Sequence, residues 1–233
     1  MSEPKLFVAL TTTHGTMQSR FVNTMLDLFK GRTFDMAFNL YIDPYMNLAR
    51  NTAAADTLDS DCTHLMFVDA DILDVNCTEH IARMVSHDED IVGGLYPKKN
   101  ESYAPEWVCN ALPERPTADA RGLLSLRHIG TGFLLIKRGV FEKMVEELGD
   151  EIGYLDDITD RPLWDFFDMP RVIDSSGKKR KMSEDWHFCD VARKLGFKVW
   201  GDTKFTLRHI GTAVFPLKTQ VAATRQERLN AVA

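Results

Sequence analysis

A chain of 233 residues with 44% apolar residues can bury a full hydrophobic core, and a single α/β domain is the first expectation. Its net charge of −6 leaves no global basic field, which argues against a nucleic-acid partner held through phosphates, so any anionic ligand has to be gripped locally. Cys62, Cys77, Cys109 and Cys189 form no C-x-x-C pair, and no stretch approaches the roughly 18 apolar residues of a membrane span; the chain reads as soluble and cytoplasmic, with reduced thiols.

"KLFVALTTTHG" is a short apolar run ending in hydroxyl residues and Gly15, which predicts a buried strand running into a ligand-facing loop. In "SRFVNTMLDLFKG", Phe21, Met25, Leu28 and Phe29 recur at helical spacing, with Gly31 as a stop. "DMAFNLYID" alternates like a strand, and the Ala-rich "NLARNTAAADTLDSD" predicts a helix that feeds the strand "THLMFVDAD". The helix "CTEHIARMVSH" and the strand "DIVGGLYP" follow, then an irregular, proline-interrupted excursion from Pro97 to about Arg121. "LLSLRHIGTGFLLIKRGVFEKMVEELG" predicts a strand, a Gly-Thr-Gly turn, a second strand and a helix. Residues 150–182 read as a loop whose basic piece "SSGKKRK" is a candidate lid. "SEDWHFCDVARKLGF" is a helix with Ser183 as N-cap and Gly196 as its stop. The strands "KVWG" and "FTLRHIG" close the fold, and the tail 216–233 reads as helical and peripheral. This β-α alternation predicts one α/β domain with a mixed, mainly parallel, Rossmann-like central sheet and helices on both faces.

Chemistry concentrates at "HLMFVDADILD". Residues i and i+2 of a strand point the same way, so Asp69 and Asp71 are expected to face the crevice where open α/β sheets bind ligands. Convergent carboxylates repel unless a cation lies between them, and oxygen ligands suit Mg²⁺ or Mn²⁺ bridging to phosphate. The competing reading is a pair of solvated strand-end aspartates. His209 in "TLRHIG" is placed to serve as a third ligand or as an ordinary structural histidine, and imidazole favours Mn²⁺. Glu184 and Asp185 stand in the first turn of a helix, where the macrodipole favours acids. There they either serve the helix alone or orient an acceptor hydroxyl and steady charge on a reacting sugar. Gly130 and Gly132 make a tight turn or admit backbone amides to a ligand. Asn47 and Arg50 share one helix face, from which Arg50 can fork onto a phosphate.

The ordered set "NLARNTAAADTL", "THLMFVDADI", "DIVGGLYPKK", "GTGFLLIKRGVF", "SEDWHFCDVARKLGFKVW" and "LRHIG" resembles nucleotide-sugar glycosyltransferases of the GT-A fold, over about residues 5–215. The likeness is nearest to those of large algal viruses and phages. It is more distant to fungal Golgi mannosyltransferases, which share an "ARN" and a "DADI" but carry an anchor that this chain does not display. The resemblance implies that Asp71 binds the divalent ion, Mn²⁺ or Mg²⁺, with Asp69 at the ribose or the metal and His209 completing the site at the diphosphate. It implies a place for Thr11 beside the nucleoside, for Arg50 at the ribose or diphosphate, for Gly130, Thr131 and Gly132 beside the sugar, and for Glu184 and Asp185 near sugar and acceptor. The activity it implies is transfer of a hexose or deoxyhexose from UDP or GDP to a glycan hydroxyl, with a lean toward retention of configuration.

Three rivals remain. "FVDADILD" superficially resembles haloacid-dehalogenase-like phosphohydrolases, but there the first Asp ends the first strand, whereas two strands and two helices are predicted to precede Asp69. A sugar-nucleotide pyrophosphorylase would share the fold, yet the N-terminal triphosphate loop is missing. A non-catalytic nucleotide-sugar binding module is the third.

Overall fold

The computed structural model describes residues 3–31, 33–99, 106–115, 117–174, 176–211 and 214–216. In chain order the elements are β1 (Lys5–Thr12), α1 (Phe21–Gly31), β2 (Asp35–Ile42), α2 (Met46–Asp59), β3 (His64–Asp69), β4 (Ile72–Leu73), α3 (Cys77–Ser86) and β5 (Ile91–Gly94). There follow β6 (Cys109–Ala111), β7 (Leu123–Ile129), β8 (Phe133–Lys137), α4 (Arg138–Ile152), β9 (Gly153–Leu155) and β10 (Pro162–Trp164). The chain continues through β11 (Arg171–Ile173), β12 (Lys179–Lys181), α5 (Glu184–Lys194), β13 (Val199–Asp202), β14 (Arg208–Ile210) and β15 (Val214–Pro216).

Eight strands form the central sheet in the order β2-β1-β3-β8-β5-β13-β7-β6. The pairs β1/β2, β1/β3 and β5/β13 are parallel, and the other four neighbouring pairs are antiparallel. The parallel pairs β1/β2 and β1/β3 are connected through the helices α1 and α2, as parallel neighbours require.

Alternation along the strands sorts the core into two layers. Phe7, Ala9, Leu65, Phe67, Leu134 and Ile136 pack on one face against Ala53 of α2, Phe141 of α4 and Phe188 of α5. Leu6, Val8, Leu10, Met66, Val68 and Leu135 pack on the other against Phe21 and Leu28 of α1 and Ile81 and Met84 of α3. Both faces of the sheet are therefore covered, which is why β1 and β3 are apolar almost throughout rather than alternating with polar residues. The buried Ala49, Ala53, Ala54 and Ala55 keep α2 close to the sheet, and that closeness carries Arg50 into the interior.

Three elements depart from the sequence-based expectation. β6 lies inside the excursion read as irregular and pairs with β7 as the sheet edge, too short to show a period. Residues 150–182 contain two small hairpins, β9–β10 and β11–β12, rather than one loop. Ser183 stands at the N-cap of α5 but its side chain makes no capping bond; its hydroxyl donates to Asp185. Gly196 follows α5 with φ of 93°, the left-handed stop that glycine adopts freely. The tail 217–233 lies outside the described residues.

Candidate active site

The site begins where two parallel neighbours end. Thr11 of β1 stands opposite Asp69 of β3 in register, and its hydroxyl donates to the Asp69 carboxylate. The Asp69 amide donates to the Gly132 carbonyl at 2.9 Å, which fixes the strand end from the β8 side. From α2, Arg50 sends Nη2 to Asp69 Oδ2 at 3.2 Å and Nη1 to Glu184 of α5. The three side chains are 5%, 19% and 17% exposed, so this is an interior bridge rather than a surface pair. Burial opposes the charge on Arg50, but Asp69, Glu184 and Asp185 outweigh it and hold the guanidinium above its ordinary range.

Asp71 goes elsewhere. β3 stops at Asp69 and a turn follows, so strand alternation does not reach Asp71, whose carboxylate meets Lys99 Nζ and lies 3.6 Å from His209 Nε2. The two-residue strand β4 explains the meeting: it pairs antiparallel with β14, sets Ile72 opposite His209, and the Ile210 amide donates to the Asp71 carbonyl at 2.7 Å. His209 Nδ1 lies 2.8 Å from the Pro97 carbonyl. A carbonyl only accepts, so Nδ1 carries the proton and Nε2 is the ring nitrogen turned toward Asp71. Burial works against the charge on Asp71, while the neighbouring His209 and the hydrogen bond from Lys99 overcome it and hold the carboxyl below its ordinary range.

The expected trio of Asp69, Asp71 and His209 is thus divided. Asp71 and His209 are brought together, whereas Asp69 is committed to Thr11 and Arg50. Among the described residues no group of three or more His, Cys, Asp or Glu side chains is arranged as a metal cage. Both aspartates nonetheless line one cleft of about 360 Å³, with Thr11, Thr12, Thr13 and His14 from the end of β1, Met46 and Arg50 from α2, and Lys99. Asn47 is half-buried and does not line this cleft; Met46, one residue earlier, does. Arg50 lines this cleft too, with its two terminal nitrogens engaged by Asp69 and Glu184 and its buried Nε without a partner among the described residues.

The glycine turn lies beneath the cleft. Gly130, Thr131 and Gly132 are buried and line none of it. A Cβ on Gly130 would stand 2.2 Å from Tyr96 Oη, and one on Gly132 would stand 2.9 Å from that oxygen and 3.1 Å from Asp69 Oδ2. The glycines therefore serve the close approach of Tyr96, whose hydroxyl accepts from the Gly132 amide at 2.9 Å, and leave their amides no path to a ligand.

At the start of α5, Asp185 Oδ1 accepts from Ser183 Oγ at 2.5 Å and from the Trp186 amide at 2.8 Å. Burial pushes its pKa up and Glu184 adds to the effect, against Ser183 and Arg50. The described residues of the basic stretch read as a lid supply β12 of the β11–β12 hairpin and lead into it, tied down by Asp174, which accepts from the Ser176 and Lys178 amides at 2.9 Å each and from Arg180 Nε at 2.5 Å. Its described residues do not line the first cleft; Arg180 and Lys181 face a second one. Lys99, Met46 and Tyr96 were not singled out from the sequence. Lys99 stands in "YPKK", but only the fold shows that its charge meets Asp71.

No family model matches the sequence, and no curated protein matches it. Among solved structures, protein A197 from STIV is similar over 95% of this chain and 98% of its own, with a TM-score of 0.55 and 14% identity. That similarity establishes a mixed α/β, Rossmann-like fold shared along nearly the whole chain.

Proposed function

We propose that the protein is a metal-dependent glycosyltransferase that moves a hexose or deoxyhexose from a nucleoside diphosphate, UDP or GDP, to a hydroxyl of a glycan acceptor. The observation that carries this reading is the pairing of Asp71 with a correctly turned His209 in the cleft that the Thr11–Thr13 hydroxyls also line, while Arg50 ties the same floor to the acids of α5. One carboxylate oxygen and one imidazole nitrogen suit a divalent ion that completes its shell with diphosphate oxygens and water. Asp71 and His209 would hold Mn²⁺ or Mg²⁺, which when bound neutralises charge on the leaving diphosphate.

The protein's own groups divide the remaining work. The hydroxyls at the end of β1 contact the nucleoside, and Lys99 exchanges its pairing with Asp71 for a phosphate oxygen. Arg50 holds Asp69 and Glu184 in place. Asp185, held by Ser183 and the Trp186 amide, orients the acceptor hydroxyl and steadies positive charge on the transferred sugar. Retention of configuration is the expected outcome, and an NMR assignment of inverted product would make Asp185 a general base instead. A phosphohydrolase reading gains nothing from the geometry, because Asp69 ends the third strand and is tied to Arg50.

Thermal-shift screening of UDP-, GDP- and dTDP-sugars with and without Mn²⁺ tests the proposal, since a ligand that binds only the native state raises apparent stability. A Mn²⁺-dependent rise is expected for one donor class, and no rise with any donor overturns the reading. Donor binding without hydrolysis or transfer would identify a binding module.

A further inference from the structure

Besides the cleft described above there is a second. The second, of about 910 Å³, is lined by the β6–β7 edge, the β11–β12 hairpin and the outer side of α5. Its wall carries Trp186, whose ring lies on His128 with centroids 4.8 Å apart and planes 5° from parallel. His128 is 4% exposed and fully used: its Nδ1 stands 3.0 Å from Asn110 Nδ2 and its Nε2 stands 3.0 Å from Asp190 Oδ1. An amide nitrogen donates and a carboxylate accepts, so Nδ1 is bare and Nε2 carries the proton. Burial lowers the pKa of His128, which keeps the ring neutral and the chain Asn110–His128–Asp190 consistent. The indole is thereby locked on a rigid base, with its remaining surface contributing to the cleft.

The link between the clefts is the first turn of α5. Ser183 lines the second cleft while its hydroxyl holds Asp185, and Glu184 of the same turn is tied to Arg50, which lines the first.

We infer that the second cleft binds the acceptor as a pyranoside, with one sugar ring seated on Trp186 and its hydroxyls met by Arg127, Arg180 and Asp190. An immobilised aromatic face beside charged donors and acceptors matches a sugar ring, which presents an apolar C–H face and a hydroxyl rim. His128 is a positioning residue: it acts by fixing the indole. This inference rests on the glycosyltransferase reading for its role but not for its binding partner.

Saturation-transfer NMR with methyl α- and β-glycosides of glucose, galactose and mannose, and with maltotetraose and cellotetraose, tests it. Wild-type protein is expected to transfer saturation to ring protons of at least one probe. W186A should weaken that transfer at least tenfold, and W186F should keep a measurable part of it. A melting curve on each variant separates lost binding from lost fold. Absence of transfer to every probe, or equal transfer with W186A, overturns the inference. Donor thermal shifts on the same wild-type sample keep the two readings apart: donor binding without glycoside binding sinks only the acceptor site, and the reverse sinks only the donor assignment.

Discussion

Arg50→Met is the sharpest test of the interior bridge. The guanidinium is 5% exposed and holds two carboxylates that are themselves 19% and 17% exposed, on elements about half the chain apart. Removing it leaves Asp69 and Glu184 with no shared cation in a poorly solvated place, and breaking a buried pair by deleting one partner costs about 3–5 kcal/mol. For a domain of this size each kcal/mol moves the melting temperature by about 2–4 °C, so a fall of roughly 6–20 °C is expected. Calorimetry at neutral pH reads it directly. The double variant R50M/E184Q should recover a large part of the loss, because it removes one stranded charge, while R50K should fall between the two, since one ammonium lacks the geometry to fork onto both acids. An R50M melting temperature within about 2 °C of wild type, a shift worth about 1 kcal/mol, would refute the bridge as a structural element.

Gly130→Ala forces Tyr96 away from the turn, since the new Cβ would lie 2.2 Å from its hydroxyl oxygen, and should cost about 1–3 kcal/mol by denaturant titration. Unchanged stability would mean that the turn is loose. Asp71→Asn should abolish the Mn²⁺-dependent part of the donor thermal shift, and His209→Ala should weaken nucleoside-diphosphate binding more than nucleoside binding by calorimetry; equal losses for the two ligands would count against a metal role. Burial, with Lys137 adding, pushes the half-buried His64 down to about 4 from an ordinary 6.5, so between those values the unfolded chain takes up a proton that the native chain refuses. Its contribution, about 1–2 kcal/mol after discounting for partial exposure, is complete above pH 6.5 and is lost as pH falls toward 4. His64→Gln should therefore flatten the decline in melting temperature between pH 7 and pH 4.5, and an equally steep profile would remove His64 as its source.

The sequence makes legible what local alternation decides, and the site shows where that stops. The apolar runs of β1 and β3 are readable because helices cover both faces of the sheet, and the Ala-rich α2 is readable because Ala suits a helix that must lie close. The aspartates of "DADI" were expected to converge by the two-residue period, yet that period holds only while the strand lasts, and β3 ends at the first of them. Where a strand ends depends on its neighbours: here Gly132 holds the Asp69 amide and Thr11 receives the Ala70 amide, contacts made 63 and 59 positions away along the chain. The cation that claims Asp69 comes from 19 residues upstream, and the acid that shares it comes from 134 residues beyond Arg50. His209 was placed beside Asp71 by its position at the end of a late strand, but the contact is made by β4, whose two residues are too few to show any period. The division of the two carboxylates follows from these long-range pairings: one aspartate holds the floor of the cleft to α5, and the other meets Lys99 and His209.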